Sequence, residues 1–249
     1  MIVLKTPEQI EKIRKSCRIL VDTFRRAEEL LKPGVKTAEI DAAVEEYIRS
    51  RGAVPAFKGY RGYPASVCIS VDEVVLHGIP GEQVLEEGQI VTLDMGVILD
   101  GYYSDAAKTY AIGQISDEKQ RLMDAAKAAL MNAIDAAREG NRIGDIAYAI
   151  QKTAEGRGFS VVRQFCGHGI GRNLHEEPEV PNFGNPRTGA RLRRGMTLAI
   201  ETMVNAGTPE VEIASDGWTV ITKDRRPAAH FEHTIAVTDG EADILTLGL

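Results

Sequence analysis

Cysteine is scarce in this chain, long apolar runs are absent, and positive charge is in the minority. Cys17, Cys68 and Cys166 are odd in number, widely spaced and without any Cys-x-x-Cys arrangement. They supply neither a disulfide framework nor a zinc knuckle, and a reducing cytosol is the simplest setting. The opening Met1-Ile2-Val3-Leu4-Lys5-Thr6-Pro7 lacks a basic stretch followed by an apolar one of ~7–15 residues. No later segment approaches ~20 uninterrupted apolar residues. The expectation is a cytoplasmic protein, neither secreted nor membrane-bound. With 30 basic against 36 acidic residues the formal charge is −6, which argues against a specific nucleic-acid partner. The short basic cluster Arg191, Arg193 and Arg194 reads as a solvated loop.

What is present suffices for a sizeable core: 249 residues, 43% hydrophobic, expected to form a single catalytic domain over 1–249. Thr6-Pro7-Glu8 reads as a helix start, with Thr capping and Pro in the first turn. Ile10, Ile13, Cys17, Leu20, Phe24, Ala27 and Leu31 then recur at helical spacing until Lys32-Pro33-Gly34. A second helix, capped by Thr37, carries Ile40, Val44, Tyr47 and Ile48 inward and closes at Arg51-Gly52. A third opens at Ser116-Asp117-Glu118 and ends at Glu139-Gly140, and Ile146, Ala149 and Ile150 mark a fourth. The two helix pairs match at one offset, since Gly34 and Gly140, Ile40 and Ile146, and Gly52 and Gly158 all lie 106 residues apart. The chain reads as an internal duplication, an α/β (α+β) architecture of α-α-β halves near 1–113 and 114–249. Strand-like segments follow each pair: Ser66–Val71, Gln89–Met95 and Ser104–Ile112, then Phe159–Phe165, Met196–Met203, Trp218–Thr222 and Phe231–Thr238.

Carboxylates repeat with the halves. Gly88–Asp94 matches Gly195–Glu201, each placing an acid at the end of an apolar strand, and Asp105 with Glu232 forms a second matched pair. A buried carboxylate is costly unless paired or coordinating a cation. Four of them in one cavity would carry about −4 and raise one another's pKa until protons or cations compensated, and two divalent ions supply about +4. Oxygen-dominated coordination with a single imidazole suits Mn, Fe(II) or Co better than a structural zinc site. The imidazole is His168, set between glycines in Cys166-Gly167-His168-Gly169-Ile170-Gly171. His175 follows seven residues later, and His77 sits on a Gly-Pro turn in Val75–Pro80. Glu176 and Glu177 read as turn-capping or solvated, and His230 and His233 as flanking Glu232 without reaching the metals. Two ions about 3.5–4 Å apart that share a water are a hydrolase's apparatus.

Taken together, Val75–Pro80, the Asp94–Asp105 spacing, Cys166–Pro178, Met196–Asn205, Asp216–Thr219 and Phe231–Thr234 resemble type I methionine aminopeptidase, over nearly all of the chain. His168-Gly169-Ile170-Gly171 is also similar to the wider prolidase and aminopeptidase P group. The 31-residue interval from Glu201 to Glu232 leaves no room for the insertion of type II enzymes. The resemblance implies the pita-bread fold with a dinuclear centre between its halves. It implies that Asp94 chelates one metal, that Asp105 and Glu232 bridge, and that His168 with Glu201 completes the other; Zn joins Co, Mn and Fe(II) as an expected cofactor. His77, His175 and Glu201 would be catalytic, with Glu201 shuttling the proton. Phe57, Tyr60, Tyr63, Cys68, Leu174, Met203 and Trp218 would form the methionine pocket. The implied partners are N-termini of nascent polypeptides and peptides, with transient ribosome association, for a monomeric enzyme. Three positions depart from the family pattern: Thr202 stands where proline usually follows the metal-binding Glu, Leu174 where an aromatic is common, and Phe57 where a small residue is expected. An X-Pro-directed peptidase of the same fold and a non-catalytic peptide-binding module are the rival readings.

Overall fold

The computed structural model describes residues 1–249. Helix α1 spans Pro7–Glu28 and begins on a capping box, Thr6 accepting from the Gln9 amide while Gln9 accepts from Thr6. Helix α2 covers Thr37–Ser50. Thr37 is its first residue and does not cap it: its buried hydroxyl exchanges hydrogen bonds with Gly81, and Glu39 accepts from the Lys36 amide. Helices α3 (Asp117–Ala136) and α4 (Ile143–Glu155) form the second pair, with Ser116 accepting from the Lys119 amide at the start of α3.

One antiparallel sheet of ten strands runs through the molecule. Its principal strands are β1 (Val67–Val71), β2 (Ile90–Leu99), β3 (Tyr102–Ala111), β4 (Cys166–Gly169), β5 (Glu176–Pro181), β6 (Thr197–Asn205) and β7 (Ala228–Ala236). The order is β2-β3-β7-β6-β4-β5, with β1 on β2 and the short strand Ser160–Val161 on β6. The two halves of the chain therefore meet where β3 pairs with β7. A separate three-stranded sheet joins Val74–Leu76, Val220–Thr222 and Val211–Ile213. One expectation changes here, and one strand appears that was not anticipated. Phe159–Phe165 is strand only at Ser160–Val161, and the glycine-rich Cys166–Gly169 is itself a strand, because β6 on one side and β5 on the other satisfy its backbone.

The helices bury their apolar faces on the sheet in two clusters. Leu20, Phe24, Ile40 and Ile48 pack with Val67, Val91 and Leu93. Leu122, Ala126, Ala129, Ile146 and Ile150 pack with Leu198, Ile200 and Ile235. The alanine face of α3 lets that helix lie close to the strands. Packing one face of the sheet in this way leaves the alternate residues of β2, β3, β6 and β7 on the other. No helix is long and apolar enough to cross a membrane.

Candidate metal centre

Strand register alone puts the five expected donors on one face. Asp94 on β2 lies opposite Ala107 on β3, and Asp105 lies two residues before Ala107 on the same side. Glu232 on β7 is opposite both Ala107 and Glu201 on β6. His168 on β4 is opposite Ala199, two residues before Glu201. Ala107, the central residue of this constellation, keeps its middle open. Gly167 and Gly169 allow His168 to approach, since a Cβ on Gly167 would lie 2.4 Å from the Ala199 carbonyl oxygen and one on Gly169 2.3 Å from that of Glu177.

Asp94, Asp105, His168 and Glu232 are buried and Glu201 is partly so, and several of their oxygens have no partner. Asp105, His168 and Glu232 offer ligand atoms within 4.8 Å of one another. Asp94 and Glu201 line the same cavity. Asp94 Oδ1, Asp105 Oδ1 and Glu232 Oε1 are buried without a hydrogen bond. Glu201 and Glu232 face each other across the β6–β7 ladder, an arrangement that is destabilising for two anions without a compensating cation. Burial raises all four carboxyls, Asp94 to about 7 and the others well above the ordinary range; repulsion from neighbouring carboxylates adds to the rise at Asp105, Glu201 and Glu232. Burial lowers the imidazoles of His168 and His77, and lowers that of His175 to about 3, the last also through His168 and Arg61. His168 Nε2 lies 3.7 Å from Asp105 Oδ2, and burial disfavours the charged form of both groups. A neutral imidazole beside partnerless carboxylate oxygens is the donor set that divalent cations require.

The centre opens into a cavity of ≈ 270 Å³. Phe57, Tyr60, Tyr63, Cys68, Leu174, Trp218, His77 and His175 all line it. Met203 does not: it is fully buried in a cluster with Val75, Leu76, Val162, Val211 and Val220, behind the cavity wall that Leu76 and Phe165 form. His77 has φ 56, a left-handed conformation unusual for a non-glycine residue, and presents its ring edge to Phe165 and Trp218. The His175 ring lies 4.2 Å from that of His168, and its Nδ1 is 2.8 Å from the Tyr60 hydroxyl. Arg61, Leu76, Phe165 and Cys166 also line the cavity without having been singled out in the sequence. Cys166 could have been, since it is two residues before His168 on one strand and so shares its face.

His230 departs from expectation. Its buried ring places Nε2 3.4 Å from Glu201 Oε2 and 3.9 Å from Glu232 Oε2, and neither ring nitrogen has a hydrogen-bond partner. Two residues before Glu232 on β7, it shares the inward face, and burial lowers it to about 3. His233 does flank the site, facing away with Nδ1 2.8 Å from the Thr246 hydroxyl. Glu176 serves its turn, accepting from the Arg172 and Asn173 amides. Thr202, where proline was expected, is tied down in another way: its buried hydroxyl lies 3.0 Å from the Ala126 carbonyl of α3 and 3.2 Å from that of Phe231.

Comparison with known proteins agrees with this geometry. The model of metallopeptidase family M24 matches residues 11–239. The chain belongs to metallopeptidase family M24. Among its M24 relatives, methionine aminopeptidase 1 of Bacillus subtilis is 46% identical over 99% of both proteins. A crystal structure of methionine aminopeptidase from Thermotoga maritima superposes with a TM-score of 0.97 at 43% identity, covering 99% of each chain. A prolidase from Pyrococcus horikoshii shares the fold, with a TM-score of 0.81 at 23% identity over 98% of this chain and 63% of that one. The expected pita-bread fold class is thus borne out, and the chain is a metal-dependent peptidase of its family.

Proposed function

We propose that this M24 peptidase removes the N-terminal methionine from peptides and nascent proteins whose second residue is small. The carrying observation is the single sheet face on which Asp94, Asp105, His168, Glu201 and Glu232 converge, with partnerless buried oxygens, beside an apolar cavity. These five residues would hold two divalent ions, Asp94 serving one, His168 and Glu201 the other, and Asp105 and Glu232 both. When bound, such ions supply Lewis acidity that brings a water's pKa towards neutrality and polarises the scissile carbonyl.

The remaining work belongs to side chains of this chain. Phe57, Tyr63, Cys68, Leu174 and Trp218 form an apolar wall that suits an unbranched thioether. A Tyr60 hydroxyl that donates to His175 Nδ1 leaves the ring hydrogen on Nε2, where it can be donated to the carbonyl oxygen as negative charge develops. His77, fixed on its turn between Phe165 and Trp218, contacts the substrate from the other side of the cavity. Glu201, whose carboxyl burial has raised, holds the proton taken from water at a carboxylate oxygen and delivers it to the departing amine. The reading places the enzyme in the cytoplasm, as a monomer that meets its substrates as they leave the ribosome, and treats residues 1–113 and 114–249 as the halves of one catalytic unit.

Kinetics with defined metals test it. Met-Ala-Ser is expected to be cleaved by protein loaded with Mn, Fe(II), Co or Zn and not by chelated protein, with no comparable turnover of an X-Pro dipeptide. Preference for the X-Pro substrate, or peptide binding without turnover by metal-loaded protein, would overturn the assignment.

A further inference from the structure

We propose that the buried ion pair of Lys5 and Glu176 is a clamp that positions His175 over the metal centre; the inference rests on the proposed role of His175. Six residues, Ile170–His175, connect β4 to β5, and Leu174 and His175 at the far end of this loop line the cavity. The near end is held by the main chain: Ile170 donates to the Thr197 carbonyl at 3.1 Å, and the Gly171 carbonyl accepts from the Tyr103 amide at 2.8 Å. The middle is held by one side chain. Glu176 Oε1 accepts from the Arg172 amide at 2.9 Å and the Asn173 amide at 3.2 Å, and Oε2 receives Lys5 Nζ at 2.5 Å.

The fold gives up other options to keep this pair. The side chains of Lys5 and Glu176 are only 4% and 11% exposed, and an ion pair so buried contributes little net stability compared with apolar packing of the same volume. Lys5 is anchored at both ends, its amide donating to the Gly195 carbonyl at 2.7 Å and its Nζ to the Val3 carbonyl at 3.1 Å. Gly171 leaves the space that the pair occupies: a Cβ there would lie 2.6 Å from Lys5 Cε and 2.9 Å from Glu176 Oε1. What the pair provides is a Glu176 side chain held from one side by Lys5, so that its other oxygen stays in place to accept from both loop amides. Without Lys5 the carboxylate would be drawn towards water, and the loop segment next to His175 would follow it. Lys5 touches neither substrate nor donors, so it is a positioning residue.

A double-mutant cycle in Mn-loaded protein tests this, with Lys5→Met, Glu176→Gln, His175→Ala and the combinations assayed on Met-Ala-Ser. Lys5→Met is expected to lower kcat by about 10- to 100-fold, as small displacements of catalytic groups do. KM should stay within about twofold, metal content should be unchanged, and amide hydrogen exchange at Arg172 and Asn173 should accelerate. In the His175→Ala background Lys5→Met should change kcat by less than about twofold, because its effect passes through the missing ring. Glu176→Gln keeps an acceptor but loses the charge, and should show the same coupling with a smaller loss; if Lys5→Met does not fold, this variant decides alone. Unchanged kcat in the variants, an equal loss in both backgrounds, or loss of metal would overturn the clamp. A His175→Ala enzyme of full activity would instead overturn the proposed role of His175, and the clamp with it.

Discussion

The Tyr60 hydroxyl lies 2.8 Å from His175 Nδ1, and the two rings stack with centroids 5.4 Å apart. One contact thus sets the plane of the His175 ring and, with Tyr60 as donor, its tautomer. Tyr60→Phe keeps the stacking and removes the hydroxyl, so Nδ1 can carry the hydrogen in its place. A neutral hydrogen bond contributes about 0.5–1.5 kcal/mol, so kcat for Met-Ala-Ser is expected to fall by roughly 2- to 10-fold with KM little changed. An unaltered kcat would show that Tyr60 serves the pocket wall alone.

His175→Ala should retain its metal, because the ring lies beside His168 and lines the cavity without joining the group that Asp105, His168 and Glu232 form. Removing one donor to a developing oxyanion costs on the order of 10²–10³ in rate. Elemental analysis alongside kinetics distinguishes the outcomes: loss of metal would make His175 a ligand, and full activity would remove it from the mechanism.

The titration of the site predicts an unusual pH dependence for metal-free protein. Asp94 is raised to about 7, and Asp105, Glu201 and Glu232 are raised well above their unfolded values. A raised carboxyl binds more protons folded than unfolded, so its stabilisation is complete below the unfolded pKa and is lost as pH rises through the folded one. The lowered imidazoles act in the opposite sense, but only below about pH 6.5, where they protonate in the unfolded chain. Between about pH 6.5 and pH 7.5, around the value of about 7 at Asp94, the carboxyls dominate, and the Tm of chelated protein is expected to fall. Mn or Co should raise Tm most at the upper end of that window. A flat Tm across it, with or without metal, would contradict a carboxylate-lined site.

The carboxylate donors were legible in the sequence because each sits in an apolar strand-like setting, where a carboxylate is costly to bury unless a cation meets it, and because the pattern recurs in both halves; the strands run past them, so that all four lie within β2, β3, β6 and β7 and not at their ends as expected. Residues whose role depends on register between distant strands were not. His230 is separated from Glu232 by one residue, yet only its place on β7 beside β6 brings it to Glu201. Met203 carries no local mark that separates core from pocket, and it proved to be core. The strand character of Cys166–Gly169 was hidden by its glycines, which disfavour strands in isolation and serve here for close approach to β6 and β5. Lys5 and Glu176 are 171 residues apart, and neither position carries a local signal of the pairing.

Phe57 gives the sharpest test of specificity. Its ring is 8% exposed and packs with Tyr63, Cys68, Ile170 and Leu174 at the cavity wall. The fold makes room for it at Gly96, where a Cβ would lie 3.1 Å from Phe57 Cε1. A bulky ring where the family pattern has a small side chain, near a leucine where it has an aromatic, changes the pocket's shape more than its volume. Phe57→Ala removes the ring and opens space beside the position of the substrate's first side chain. A methylene of misfit in such a pocket is worth ~1–3 kcal/mol, or roughly 10–200-fold in kcat/KM. The parent is expected to prefer Met-Ala-Ser over Leu-Ala-Ser, and Phe57→Ala should shift that ratio towards the branched side chain while leaving metal content unchanged. A loss of Tm should accompany the shift, because large-to-small changes at buried aromatics leave space that the surroundings only partly fill. Identical ratios in the two proteins would make Phe57 part of the core alone. A parent that prefers leucine would overturn the assignment of the pocket to methionine.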